Sequence, residues 1–147
     1  MALPAIKVDV AAADANSYIT LTEADDILAG ETVWDGLTND QKTSYILQAA
    51  QLLDAREFVG EKYSTDQALE FPRNFQVNGE GTPFIHWVVK FEQTRIALWL
   101  AKEYGGQIDV NEIDLDEIRL KFNNNLLGYR FNFINGFVSK SRLVVKE

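Results

Sequence analysis

Two long stretches with helical periodicity, separated by 24 residues that have none, constrain this chain more than any other feature. Thr38-x-x-Gln41 is a capping box, in which a hydroxyl and an amide each satisfy an orphan N–H at a helix start. It opens a run to about Phe58 in which Tyr45, Ile46, Ala49, Leu52 and Leu53 recur at three- and four-residue spacings. A second run extends to Tyr104, where Gly105-Gly106 stops it. Val88, Phe91, Ile96, Trp99 and Leu100 line one side of it, and Ile85, Val89 and Leu98 add apolar surface around the circumference. Thr82-Pro83 predicts its start, a hydroxyl N-cap followed by a proline whose missing N–H costs nothing at the first helical position. Each stripe must be buried against something, so the second run is expected at the centre of a helical core.

The connection from Val59 to Thr82 is punctuated by Gly60, Pro72, Gly79 and Gly81. A loop that long inside a compact domain is uncommon and is usually functional or disordered. Its aromatics Tyr63, Phe71 and Phe75 predict that this one is tied down. Upstream, Thr20-x-x-Glu23 and Thr22-x-x-Asp25 overlap as capping patterns for a short helix from about Leu21 to Ala29, closed by Gly30. Helices shorter than about 12 to 15 residues are marginal alone, so a doubled cap would fix where this one begins. Trp34-Asp35-Gly36 reads as a turn with a buried anchor.

Past Gln107 the period changes to alternation, at Ile118, Leu120 and Phe122 and again at Tyr129, Phe131 and Phe133. Asn135-Gly136 is a favoured hairpin turn. The expected fold class is therefore mainly α: a small helical bundle core over residues 1–106, with its long ordered loop at 59–82, and a C-terminal β hairpin or arm over 107–147. A chain of 147 residues suits one core, so both parts are assigned to a single domain.

The net charge of −8 is unevenly placed. Residues 1–73 carry 13 acidic and five basic side chains, whereas residues 74–147 carry nine of each. Within that second half, the segment from Ile118 to Glu147 has six basic residues against one acidic, interleaved with Phe122, Tyr129, Phe131, Phe133 and Phe137. The absence of cysteine excludes disulfides, thiolate metal sites and cysteine nucleophiles. His86, the only histidine, has no second soft ligand and is assigned a structural or surface role. The acidic run from Asp109 to Glu117 lacks the glycine and glutamate spacing of a calcium loop, and no phosphate-cradling glycine motif is present. No enzyme, metal or cofactor is expected. No apolar run approaches the roughly 20 residues of a membrane span, and MALPAIKVDV lacks the pattern of a secretion signal. The basic, aromatic tail fits two readings: stacking on single-stranded nucleic acid, or a hairpin carrying Phe122, Tyr129, Phe131, Phe133, Phe137, Lys140 and Arg142 onto a neighbouring subunit or another protein. The acidic balance of the whole chain favours the second.

Ala15-Asn16-Ser17-Tyr18, Glu23-Ala24-Asp25, Trp34, Leu53-Asp54, Phe58-x-Gly60, Gln67-x-Leu69, Phe71-Pro72-Arg73, and Pro83 followed by Val88 together resemble the head–tail connector adaptors of tailed bacteriophages. Many relatives there carry the label DnaT-like single-stranded-DNA-binding protein. The resemblance covers about residues 15–104. It implies a mainly helical structural protein of the virion neck, assembled in the host cytoplasm as a dodecameric ring under the portal. Such a ring prolongs the channel through which packaged double-stranded DNA passes without sequence-specific binding, and it seats a stopper, nozzle or tail protein. The acidic excess suits a channel wall that repels phosphate. In this reading Tyr18 pins the entry to the first helix, Trp34 and Phe71 anchor loops, and Gly60 permits a sharp exit from the second helix. Gln67, Pro72 and Pro83 belong to the same motif, and Arg73 either bonds a carboxylate or main-chain carbonyls or is simply an exposed arginine. The alternative is the label's own: a single-stranded-DNA-binding accessory protein of replication.

Overall fold

The computed structural model describes residues 3–56 and 58–105. Four helices follow one another there: α1 (Leu21–Ile27), α2 (Thr32–Asp35), α3 (Asn39–Asp54) and α4 (Trp87–Tyr104). Among the described residues there is no sheet, only two isolated antiparallel bridges, Lys62 with Arg73 and Val77 with Pro83. The described part is mainly helical, as its periodicity implies; the expected C-terminal hairpin lies outside the described residues.

The core is α3 packed on α4, with the shorter helices against the pair. From α3 come Tyr45, Ile46, Ala49, Leu52 and Leu53, the whole of the expected stripe, all buried. Fully burying an aliphatic or aromatic side chain stabilises by about 1.5–3 kcal/mol. On α4 the inner face is Val89, Ile96, Ala97, Leu100 and Ala101, each without exposed surface. Val88 and Trp99, expected inside, are only partly buried against this core. Large apolar side chains gave the expected stripe, but a close helix pair favours small residues at the contact, so Ala97 and Ala101 face inward.

Each helix start follows from local chemistry. Thr20 Oγ1 accepts from Glu23 N (3.1 Å) while Glu23 Oε1 accepts from Thr20 N (3.0 Å), so the first of the two overlapping boxes caps α1. Thr22 lies inside the helix and Asp25 is bonded elsewhere, so the entrance is single. The other Glu23 oxygen receives Lys90 Nζ of α4 at 2.9 Å. Burial raises the Glu23 pKa, but the Lys90 ammonium and the Thr20 bonds outweigh it and hold the carboxyl below its ordinary value. The Trp34 turn is the one-turn helix α2, with the indole wholly buried. Thr38 and Gln41 form the box of α3, which ends at Asp54 rather than near Phe58. Phe58 instead turns onto Phe71, ring centroids 4.6 Å apart.

α4 starts four residues later than Thr82-Pro83 implies, at Trp87. Asn78 Oδ1 takes the N–H groups of Glu80 and Thr82, and Asn78 N donates to Thr82 O, closing a tight turn through Gly81 at φ 82°. Pro83 is then held extended by its bridge to Val77, and Phe84 N donates to Gln76 O. The cap falls to His86, whose Nδ1 accepts from Val88 N at 3.2 Å. Gly105, left-handed at φ 61°, ends the helix.

Candidate functional site

The long loop is fastened to the helices by a compact polar network. Tyr18 is the hinge pin: its hydroxyl donates to Asp54 Oδ1 (2.5 Å) at the end of α3 and accepts from Phe71 N (3.1 Å). Asp54 Oδ2 takes Glu70 N at 3.2 Å. Burial, then the Asp54 carboxylate, holds the Tyr18 phenol well above its ordinary pKa. Burial likewise pushes Asp54 up to about 6, although the bonds from Tyr18 and Glu70 pull it down. The ring of Phe71 stands edge-on to Tyr18 (5.8 Å) and carries only 1% exposed surface.

Arg73 and Gln67 hold the loop to itself. The Arg73 guanidinium donates to Val59 O (3.1 Å), Gly60 O (2.6 Å), Glu70 O (3.0 Å) and Glu70 Oε1 (2.9 Å). A planar fork of five donors suits such a set of carbonyls, which a point-charge ammonium could not match. Gln67 Oε1 accepts from Ser64 N, while its Nε2 donates to Leu69 O and Pro72 O. Gly60 takes φ 77°, and a Cβ there would lie 3.0 Å from both Asn74 Oδ1 and the Phe75 ring, so the position needs glycine twice over. Trp34 is held apart from this network, its Nε1 donating to Asp25 Oδ1 (3.0 Å), an oxygen that also takes Lys42 Nζ (2.9 Å).

The outer surface at the junction of loop and α4 has another character. Phe84 (38% exposed) and Trp87 (55%) flank His86, with centroid separations of 6.4 and 5.8 Å, and Trp87 meets Phe91 edge-on at 5.2 Å. Tyr63 and Phe75, expected to tie the loop down, are also exposed. Phe71 and the polar network fasten it instead.

Of the residues singled out in sequence, Tyr18, Gly60, Gln67, Phe71, Pro72 and Arg73 are brought together in the loop network. Trp34 is a separate anchor, and Pro83 belongs to the turn before α4. Phe122, Tyr129, Phe131, Phe133, Phe137, Lys140 and Arg142 lie outside the described residues. The sequence reading missed Gln93. Buried in α4, it donates to Ser17 Oγ (2.8 Å) and Ile46 O (2.9 Å) and accepts from Tyr18 N (2.9 Å), joining both long helices to the segment before α1. An uncharged amide inside an apolar helical run was its signal. Among the described residues no cluster of histidines and carboxylates could hold a metal, and no helix is long and apolar enough to cross a membrane.

The family model described as "Putative DnaT-like ssDNA binding protein" matches residues 7–97. No curated protein and no solved structure matches the chain. The reading as a head–tail connector adaptor is corrected by this match, since no adaptor family matches, and the virion, neck and portal-binding roles attached to it fall with it. The physical reason lies in the motif itself. Tyr18, Trp34, Phe71 and Arg73 are occupied in holding core and loop, so their spacing identifies a fold and says nothing of what the outer surface meets.

Proposed function

The chain belongs to the family of DnaT-like single-stranded-DNA-binding proteins, and on that premise we propose that it binds single-stranded DNA without strong sequence preference. The observation that carries this is the ring row Phe84, His86, Trp87 and Phe91, of which Phe84 and Trp87 are exposed. Large aromatic surface left in water is unfavourable unless something covers it. Every base has a π face, so such rings take bases of any identity. Phosphate neutralisation has a source in the sequence: residues 118–147 bring six basic side chains against one acidic, while residues 7–97 carry 15 acidic and seven basic. A strongly acidic body keeps the affinity low at physiological salt and discourages binding to duplex, whose charge density is higher.

The test is fluorescence anisotropy of a labelled oligothymidine against the same length of duplex, titrated with salt. Binding to the single strand that weakens steeply with salt, with duplex much weaker, is the expected result. Removing residues 118–147 should then flatten the salt dependence, because it removes six cations. Absence of single-strand binding even at low salt overturns the proposal.

A further inference from the structure

The ring row does not stop at the helix start. At 3.6 residues per turn, Trp87, Phe91, Lys102, Arg95 and Trp99 fall within roughly 120° of one another around α4. Trp87, Arg95 and Lys102 are exposed and Phe91 and Trp99 half-buried, while Leu98, in the same sector, is buried. No acidic residue of α4 enters this sector: Glu92 is buried on the core side, and Glu103 lies beyond Trp99. Lys90, also outside it, is engaged with Glu23 of α1. In a protein with a net charge of −8, the two charged side chains that α4 itself places in this sector, Arg95 and Lys102, are thus both cations and both exposed.

Resting on the function proposed above, we propose that this outer strip of α4 is the path of the DNA strand, with bases stacked on Phe84, Trp87 and Phe91 and phosphates placed on Arg95 and Lys102. Aromatic rings lead and cations follow along it, with Trp99 between Arg95 and Lys102, and rings together with cations are the composition of sequence-tolerant single-strand sites. From Trp87 to Lys102 the helix rises about 22 Å, which gives a footprint near the low end of the roughly 4–16 nucleotides typical of one single-strand module. The strand approaches from the turn at Asn78–Thr82 or leaves by it, because Phe84 sits directly beyond that turn. The rings select this occupant: an acidic peptide carries charge for Arg95 and Lys102 but no flat face to stack on the exposed Phe84 and Trp87.

Trp87→Ala, Trp87→Phe, Arg95→Ala and Lys102→Ala are compared with the parent protein on oligothymidine across a salt series, each variant first checked for an unchanged urea midpoint. Loss of one stacked base is worth roughly five- to 150-fold, so Trp87→Ala should weaken binding by that range while Trp87→Phe retains most of it. Each cation variant should lower the slope of log K against log salt by about 0.7, the value per phosphate contact on a single strand. If the parent binds and all four variants bind equally with the same slope, the path is wrong and the function stands. If the parent itself does not bind, the function proposed above fails and this path with it.

Discussion

The helix pair and the loop joining its members are both ordered, but different forces order them. Between α3 and α4 the contact is mainly apolar, through Ile46, Ala49 and Leu53 on one side and Ile96, Ala97 and Leu100 on the other, with the bond from Gln93 to Ile46 O crossing it. Such burial is non-directional and scales with area. From Val59 to His86 only Phe71 is a wholly buried large apolar side chain, while Gln67, Arg73 and Gln76 are buried polar ones. There the order comes from directional bonds onto carbonyls and N–H groups. Losing a partner leaves a buried polar group unsatisfied, which costs about 1–3 kcal/mol. A core can relax around a missing methyl, but a network cannot relax around a missing donor.

The widest separation between the regions should appear on truncating one member of each. Leu53→Ala, in the apolar contact, should lower global stability by about 2–5 kcal/mol with a single urea transition. Arg73→Ala should cost roughly 1–3 kcal/mol and should act locally, opening the loop while the helices stay closed. Hydrogen exchange separates the two outcomes. Protection lost at the amides of Tyr63, Phe71 and Asn74, with α3 and α4 unchanged, supports local opening. Equal loss in the helices would mean that loop and core are one cooperative unit.

Next in size is a pH effect confined to the seam between the regions. Asp54 has a folded-state pKa of about 6 against an ordinary 3.8, so folding favours its protonated form. The stability it contributes is full below pH 3.8 and is lost as pH rises through 6. Relative to Asp54→Asn, the parent should therefore lose on the order of 2 kcal/mol between pH 4 and pH 7. Thermal denaturation of both proteins across that range measures it. A difference that is flat with pH, or that grows in the parent's favour at pH 7, would show that the Tyr18 hydroxyl and the Glu70 N–H stabilise the carboxylate at least as much as burial penalises it.

The two regions were also unequally legible. Period and caps gave the α3 stripe and the ends at Thr38 and Gly105, because a helix is a local decision whose signals lie within four residues. The start of α4 was misplaced because Thr82-Pro83 is a good local cap signal that Asn78 overrides, taking the Thr82 N–H for its own turn. Phe91 and Trp99 were counted as core and are only half-buried, because hydrophobicity alone does not reveal how deeply each side of a helix is covered. The loop network joins residues dozens of positions apart, as Tyr18 to Asp54 and Phe71, and no periodicity carries that information. Net charge is silent in a similar way: averaged over the chain, it does not show that Arg95 and Lys102 lie on a sector of α4 with no acid of the same helix.

The smallest expected effect asks whether a loop-type bond at a helix end behaves like the loop. Thr20 and Glu23 exchange two side-chain-to-backbone bonds at the start of α1, and Glu23 also holds Lys90 of α4. Thr20→Ala should cost about 1 kcal/mol, the usual value of an N-cap hydroxyl. Part of the cost should vanish at high salt, because Glu23, freed from its box, holds the Lys90 ammonium less firmly. Thr22→Ala, two residues on, removes no cap and places a better helix former inside the helix, so its effect should stay within about half a kcal/mol and can be stabilising. Urea denaturation of the two variants at low and high salt decides it. Equal costs would restore the doubled entrance that the overlapping sequence patterns suggest, whereas a cost at Thr20 alone makes a seven-residue helix dependent on one threonine and on the long helix that its glutamate reaches.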